Sequence, residues 1–454
     1  MTALFVLLTA LQTNPDRPPP DYKPLRYEED WSVMRRGDCR PDLFDPLKYI
    51  PLDAPGDVYL TFGGSLREQM EFYDNQDFGT GPSRDTYELH RIYPFVDFHV
   101  APVFRAFVMI KNALAFDTQN HPFPSQQNTI DLHEAFFDVA LPLGPGTITL
   151  RPGRQELLYG SGRLFDDRAG PNSKFTYDLG RVIYEVGDVR IDGLYGRPVQ
   201  SDFFGFDDFS RNDTRAWGVY GRVPIADQSG LEPYILGIQR KNHPFDEGTD
   251  DTLRTAIGAR WYRPRASGLD WNVEPIYEVG RFGDGRLSAW GLYTDTGWTF
   301  DALPGAPRLG SRADALSGDP KRGDGKLGTF DSFFPRGILQ GEAGSFGPSN
   351  LIAITPELTV QPTDVLVLSA RCTFYWRESR QDGLYTLNLG LYAPSGTSDE
   401  QFVAHEISLT GDYYLGRHAI LSSVLSFTKS GPFLRDSGYT KDQTFVSATL
   451  TFKW

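Results

Sequence analysis

From Val58 to the C-terminus the chain alternates with a period of two, and that alternation constrains its fold more than any other feature. Over residues 89–100, Ile92, Val96, Phe98 and Val100 share one parity, and Arg91, Tyr93, Asp97 and His99 share the other. After a turn at Ala101-Pro102, Phe104, Ala106, Val108 and Ile110 alternate against Arg105, Phe107 and Lys111. Ala135, Phe137, Val139 and Leu141 make another apolar face; a turn at 142–146 follows, then Ile148 and Leu150 against Thr147, Thr149 and Arg151. Successive side chains of a strand point to opposite faces, so each segment has one apolar face and one face rich in charge. A soluble sandwich would bury the first and wet the second; a barrel in a membrane turns the apolar face to lipid and the polar face to a wet lumen.

Short turns, as at Gly187-Asp188, 361–364 and 415–417, alternate with long polar stretches at 74–88, 117–128, 155–180, 200–214, 317–349 and 378–400. Bacterial outer-membrane barrels have this asymmetry between periplasmic turns and extracellular loops, and an even strand number; the pattern predicts about 18 strands. The expectation is an all-β fold, a transmembrane antiparallel β-barrel over residues 57–454. Tyr and Trp near strand ends (Trp217, Tyr220, Trp261, Tyr262, Trp271, Tyr277, Trp290, Tyr293, Tyr375, Trp376, Tyr413 and Tyr414) are candidates for two interfacial girdles. The last strand sets Val446, Ala448, Leu450, Phe452 and Trp454 against Ser447, Thr449, Thr451 and Lys453. Ending on an aromatic of the lipid face resembles the C-terminal signal of outer-membrane barrels, so the assembly machinery of that membrane is an expected partner, as are its lipids and lipopolysaccharide.

Residues 1–11 form an apolar run too short to span a bilayer as a helix. It matches the core of a secretory signal peptide without the basic region, so 1–13 is read as a leader whose start is truncated. Residues 14–56, with Arg17-Pro-Pro-Pro20 and Tyr27-Glu-Glu-Asp-Trp31, form an irregular periplasmic segment that either tucks into the barrel or lies at its mouth. Aromatics at 14% with 46 Gly and 33 Pro suit strands punctuated by turns. A mean hydropathy of -0.38 is too polar for a helical membrane protein, and a net charge of -14 argues against a nucleic-acid partner. Cys39 and Cys372 are far apart and match no metal spacing; a disulfide between them is open but not expected.

Catalytic patterns are weak. The Gly323, Gly325 and Gly328 spacing fits a dinucleotide fingerprint but has no strand before it and no helix after it. His133-Glu134 lies on a strand, where helical zinc-ligand spacing cannot arise. No nucleophile elbow occurs, and Glu274 with Glu278 reads as lumen lining. We therefore expect no enzyme, no catalytic residue, no metal and no cofactor.

Basic residues crowd the lumen parity: Arg67, Arg91, Arg105, Lys111, Arg151, Arg190, Arg222, Arg254, Arg260, Arg308, Arg312 and Arg371, with Asp97, Glu134, Asp138, Glu185, Asp192, Glu274, Glu278 and Glu406 among them. They either pair across strands and stiffen the barrel or line an anion-selective passage. The densest stretch holds Arg151, Arg154, Gln155, Tyr159, Arg163, Arg168, Asn172, Lys174 and Arg181. Guanidinium binds carboxylate through two hydrogen bonds, and Tyr stacks on a sugar face, so the set suits a polymer of sugar acids.

Several short runs together resemble the alginate export family. They are Trp31 with Asp45-Pro-Leu-Lys-Tyr-Ile-Pro-Leu52, Phe62-Gly-Gly-Ser-Leu-Arg-Glu68, Gly153-Arg-Gln-Glu-Leu157 with Tyr159-Gly160, Arg163-Leu164, Gly170-Pro-Asn172, Tyr195-Gly-Arg-Pro-Val199, Ser317-Gly-Asp319, Gly328-Thr-Phe-Asp331 and Phe334-Pro335. The resemblance implies a monomeric eighteen-strand barrel whose electropositive constriction passes polyuronate outward, with Arg91, Arg105, Arg154, Arg163 and Arg181 as lumen cations. The functional expectation is a passive outer-membrane channel of this type for anionic saccharide or related anions. The alternatives are a general or sugar-specific uptake porin on the same barrel and a barrel-embedded hydrolase.

Overall fold

The computed structural model describes residues 20–36, 42–119, 122–225, 228–337 and 340–454. The expected leader and Cys39 lie outside them; Cys372 is a free thiol on the outward face. Each alternating segment is a strand. They are β1 (Val58–Asp74), β2 (Arg84–Val100), β3 (Phe104–Phe116), β4 (Asn128–Leu143), β5 (Gly146–Gln155), β6 (Tyr177–Val186), β7 (Val189–Gln200), β8 (Thr214–Pro224), β9 (Gly230–Phe245), β10 (Gly248–Arg263), β11 (Gly268–Phe282), β12 (Gly285–Thr299), β13 (Arg308–Leu316), β14 (Leu351–Thr363), β15 (Leu366–Trp376), β16 (Phe402–Leu415), β17 (Ala419–Ser430) and β18 (Gln443–Lys453). Each pairs antiparallel with the next, and β18 returns to β1 from Ser65–Lys453 to Asp74–Thr444. The result is a closed 18-strand barrel with no free edge to recruit another chain.

Register confirms the inversion read from the alternation. Residues opposite one another in a ladder project to the same face. Val96 faces Val108 and Phe104 faces Val139, whereas Arg105 faces Asp138. Phe104, Val108, Phe137, Leu368, Leu421 and Leu425 are exposed, as a lipid-facing belt requires, while Arg91, Asp97, Asp138 and Arg151 are buried inside. The girdle expectation is corrected in part. Trp261, Tyr277, Trp290 and Tyr413 face outward and are exposed, but Tyr220, Tyr293 and Tyr375 are buried in the barrel. The reason is the period itself: neighbours such as Tyr375 and Trp376 point to opposite faces, so only one can reach the interface.

Strand length decides what fills the barrel. β1 and β2 run 17 residues each, but β5 and β6 only 10. At Gly153 the backbone has φ +135°, and a Cβ there would meet Ala135 O at 2.3 Å. Two residues later the chain leaves the wall, and residues 156–176 fold into the lumen. The outer part of β4 loses its partner, and residues 201–210 cover it: Thr129 N–H donates to Phe203 O and Phe206 N–H to Ile130 O.

The N-terminal segment enters from the end that holds the short turns and the C-terminus. Tyr27 and Trp31 are buried. Arg26 donates to Gly64 O (2.6 Å) and to Trp454 O (3.1 Å), tying the segment to the seam where β18 meets β1. Trp31 and Tyr22 stack around Lys48, whose ammonium lies 5.0 Å from the Trp31 ring centroid.

A partition across the lumen as the candidate site

Two loops meet inside the barrel. Residues 156–176 come from the β5–β6 side and residues 317–350, less the two not described, from the β13–β14 side. Phe165 and Phe334 bridge them: Asp166 N–H donates to Phe334 O (3.1 Å), Phe334 N–H to Leu164 O (2.9 Å) and Arg336 N–H to Gly162 O (2.9 Å). Leu157, Leu164, Phe165, Phe330, Phe333 and Phe334 pack with Leu179, Leu236, Ile238 and Ala256 of the wall as one apolar cluster. Burying these side chains contributes about 1.5–3 kcal/mol each, enough to hold two loops where water would otherwise stand. His133 and Glu134 fix the entry of the first loop: His133 Nε2 lies 2.7 Å from Glu156 Oε1, and Glu134 accepts the Glu156 N–H.

Most of the sequence-predicted site residues lie at this partition, and most already have partners. Arg105 forms two hydrogen bonds with Asp97 (2.8 and 2.6 Å), and Arg151 two with Asp138 (2.6 and 2.7 Å). Lys174 bridges Glu156 (2.5 Å) and Asp167 (2.8 Å). Although burial lowers its pKa, these two carboxylates hold it above the ordinary lysine value. Burial, with Asp167 beside it, pushes Asp166 up to about 6 against the pull of Arg336. Arg91 donates to Ala169 O and Pro171 O, and Arg168 to Pro335 O and Asn388. Arg163 lies over the Tyr293 ring, 3.8 Å from Asp314. Asn172 gives its amide to three carbonyls, and Gln155 is wholly buried.

Arg154 is a correction. It pairs with Ala135 and Asp178 in the ladder, the same outward face as Leu150. Its guanidinium grips Asp178 (2.8 and 3.0 Å) beneath residues 201–210 and does not enter the lumen. The dense stretch changes from strand to loop at this point, and counting charges along it could not register the change of face.

Beside the partition, on β6 to β10, a cleft combines buried tyrosines with arginines that keep partial contact with water. Tyr159 of the loop stacks on Tyr220 (4.4 Å), and Tyr220 on Tyr234 (5.5 Å). Asp192 is shared by Arg181 and Arg190, and Glu232 by Arg222 (3.5 Å) and Arg260 (2.8 Å). Arg222 is half exposed and Arg190 partly so. Glu28 of the N-terminal segment and Leu158 complete the walls of this cleft, and Glu185 stands at its rim, 3.4 Å from Arg190. Alternation put the arginines in the lumen. The tyrosine stack is not legible in the sequence: Tyr220 reads as a girdle candidate, and no local pattern singles out Tyr234.

Carboxylate oxygens of Asp131, Asp207 and Asp208 come together, but the chain's own groups meet them. Lys111 Nζ is 2.5 Å from Asp208, Arg154 is 3.9 Å from Asp131, and the Asp207 and Asp208 N–H groups donate to Asp131.

Residues 58–446 match the model of the alginate export family. The chain belongs to the alginate export family. This family member also shares its fold with solved outer-membrane barrels at low identity. OpdO of Pseudomonas aeruginosa has a TM-score of 0.58 at 10% identity, over 87% of this chain and 97% of that one. OccK2 of the same organism, solved in complex with glucuronate, has a TM-score of 0.58 at 11% identity, over 91% and 100%. OccAB1 of Acinetobacter baumannii gives 0.58 at 11%, over 87% and 96%. A sequence search among curated proteins gives no match. Family and closed barrel place the protein in the bacterial outer membrane as a barrel channel.

Proposed function

We propose that this barrel is a passive, monomeric channel for anionic saccharides, oligomeric or polymeric, with no catalytic step. The observation that supports this most is the stack Tyr159–Tyr220–Tyr234 lying between two guanidinium pairs, each sharing one carboxylate. A uronate presents an apolar ring face and a carboxylate on the same unit. The buried tyrosine stack gives the cleft an apolar floor beneath the ring, and Arg222, half exposed, with Arg190, partly so, matches the carboxylate through charge-assisted hydrogen bonds. The sharing matters, because a guanidinium that splits one carboxylate with its neighbour keeps donors for a passing anion, and several weak sites in series let that anion leave again. The family to which the chain belongs and the glucuronate-bound OccK2 barrel both agree with a sugar acid as cargo. Arg105, Arg151 and Lys174, by contrast, act as struts.

Planar-bilayer recordings test this. The parent channel should prefer anions and be blocked by polyuronate at low salt. Arg190→Ala with Arg222→Ala should move the reversal potential toward cations and weaken block by about tenfold, near 1.4 kcal/mol. Lys441→Ala, in an outer loop, should do neither. A parent channel that prefers cations or ignores polyuronates refutes the reading.

A further inference from the structure

The outward face carries a second set of cations that the passage does not use. Across β8 to β12, Val219, Ile235, Ile257, Tyr277 and Trp290 lie opposite one another in successive ladders and form one exposed apolar row of the lipid belt. Four residues nearer the long-loop end, on the same strands and the same face, the row reads Arg215, Gln239, Leu253, Arg281 and Arg286. It does not stop there. Residues Lys326–Leu327 pair in parallel with β12, setting Lys326 beside Arg286 and Leu327 beside Leu287. Both leucines are buried inward, so Arg286 and Lys326 point outward.

Arg281, Arg286 and Lys326 thus stand abreast in one row. Among the described residues, their side chains and that of Arg215 make no hydrogen bond or ion pair, in contrast to the engaged arginines of the lumen. One carboxylate shares this outward face, Asp251, and it accepts the Asn242 N–H (2.9 Å). Glu247, Asp250 and Asp284 line one hollow with Arg286 and Lys326 at the loop end but form no ion pair with them, and Asp213 is held by Arg211 (2.7 Å).

Like charges directly opposite in a sheet destabilise it, and three abreast with no carboxylate in ion-pair contact favour an added anion. Their position says which one. They continue the lipid belt at the long-loop, extracellular end, where the neighbouring phase is the headgroup layer of the outer leaflet. Guanidinium forks match phosphate oxygens two at a time, and a flexible ammonium beside them adds a point charge. We propose that Arg281, Arg286 and Lys326, with Arg215 at the far end of the row, bind the phosphate groups of a phosphorylated glycolipid of the outer leaflet.

The test is lipid retention by the detergent-solubilised full chain, read by native mass spectrometry with purified bisphosphorylated lipid A as the probe. The parent should retain it, and should retain the enzymatically dephosphorylated lipid about tenfold less. Arg281→Gln with Arg286→Gln should lose retention by a similar factor while keeping heat-modifiable migration, the mark of an intact barrel. Arg190→Ala with Arg222→Ala, inside the lumen, should retain lipid as the parent does, so this readout stands apart from conduction. Inorganic phosphate at millimolar concentration should not displace the lipid. Equal retention of the two lipids, displacement by free phosphate, or unchanged retention in the folded glutamine variant each overturns the proposal. Should the double variant not fold, Lys326→Gln alone must show a partial loss.

Discussion

Arg151→Ala, set beside Arg222→Ala, separates an arginine that supports the barrel from one proposed to line the passage. Arg151 holds Asp138 through two hydrogen bonds, and its guanidinium lies 4.6 Å from the Tyr27 ring centroid and 4.4 Å from that of Phe136. The two charged side chains are 8% and 11% exposed. Removing one partner of a buried pair costs about 3–5 kcal/mol, because the other charge remains without compensation. Lost stacking adds about 1 kcal/mol, and the residual water contact of Asp138 recovers a similar amount. The expected loss is therefore near 4 kcal/mol. Arg222, half exposed and 3.5 Å from Glu232, should cost no more than about 1 kcal/mol on truncation. Urea unfolding of barrels refolded into vesicles, followed by tryptophan fluorescence, measures both. Arg151→Met combined with Asp138→Leu should recover most of the loss, since no charge is left stranded. Should Arg151→Ala unfold with the parent yet change ion selectivity, or should the double variant fall as far as the single, the division between struts and passage is wrong.

Phe137→Arg places a cation among exposed lipid-facing side chains and should cost about 2–4 kcal/mol at the bilayer midplane; urea unfolding in vesicles measures it, and stability equal to the parent's would contradict the facing. Deleting Trp454 removes a residue that exchanges backbone hydrogen bonds with Gly64 and receives Arg26, so outer-membrane yield should fall while secretion continues; membrane fractionation checks this. Lys48 is buried, and its pKa is lowered from 10.5 to about 7, chiefly by desolvation and then by Arg26. Because the docked form prefers the neutral amine, its contribution to docking is complete above pH 10.5 and declines as pH falls to about 7, by about 1.4 kcal/mol per unit. Limited proteolysis should release the N-terminal segment faster at pH 7 than at pH 9, and Lys48→Met should abolish the difference.

Alternation alone determined the barrel. A period of two fixes which side chains share a face, and a membrane fixes which face must be apolar, so the lipid belt from Phe104 to Leu425, the strand number and the inward facing of Arg105 and Arg151 were all legible in the chain. The same pattern could not say where a strand stops and turns inward, because parity carries no meaning once the chain leaves the ladder. That is why Arg154, one step from the end of β5, was read into the lumen when it points out, and why Lys174 and Asn172 looked available when they brace the loop. Pairing between distant segments lay further beyond the sequence. Tyr27 meets Arg151 and Arg181, Phe165 meets Phe334, and Tyr159 stacks on Tyr220, all across more than sixty positions of chain. Charge and aromatic content were written in the residues. Which cations are neutralised and which stay open to a solute depends on carboxylates brought from other strands, and only the closed barrel sets those distances.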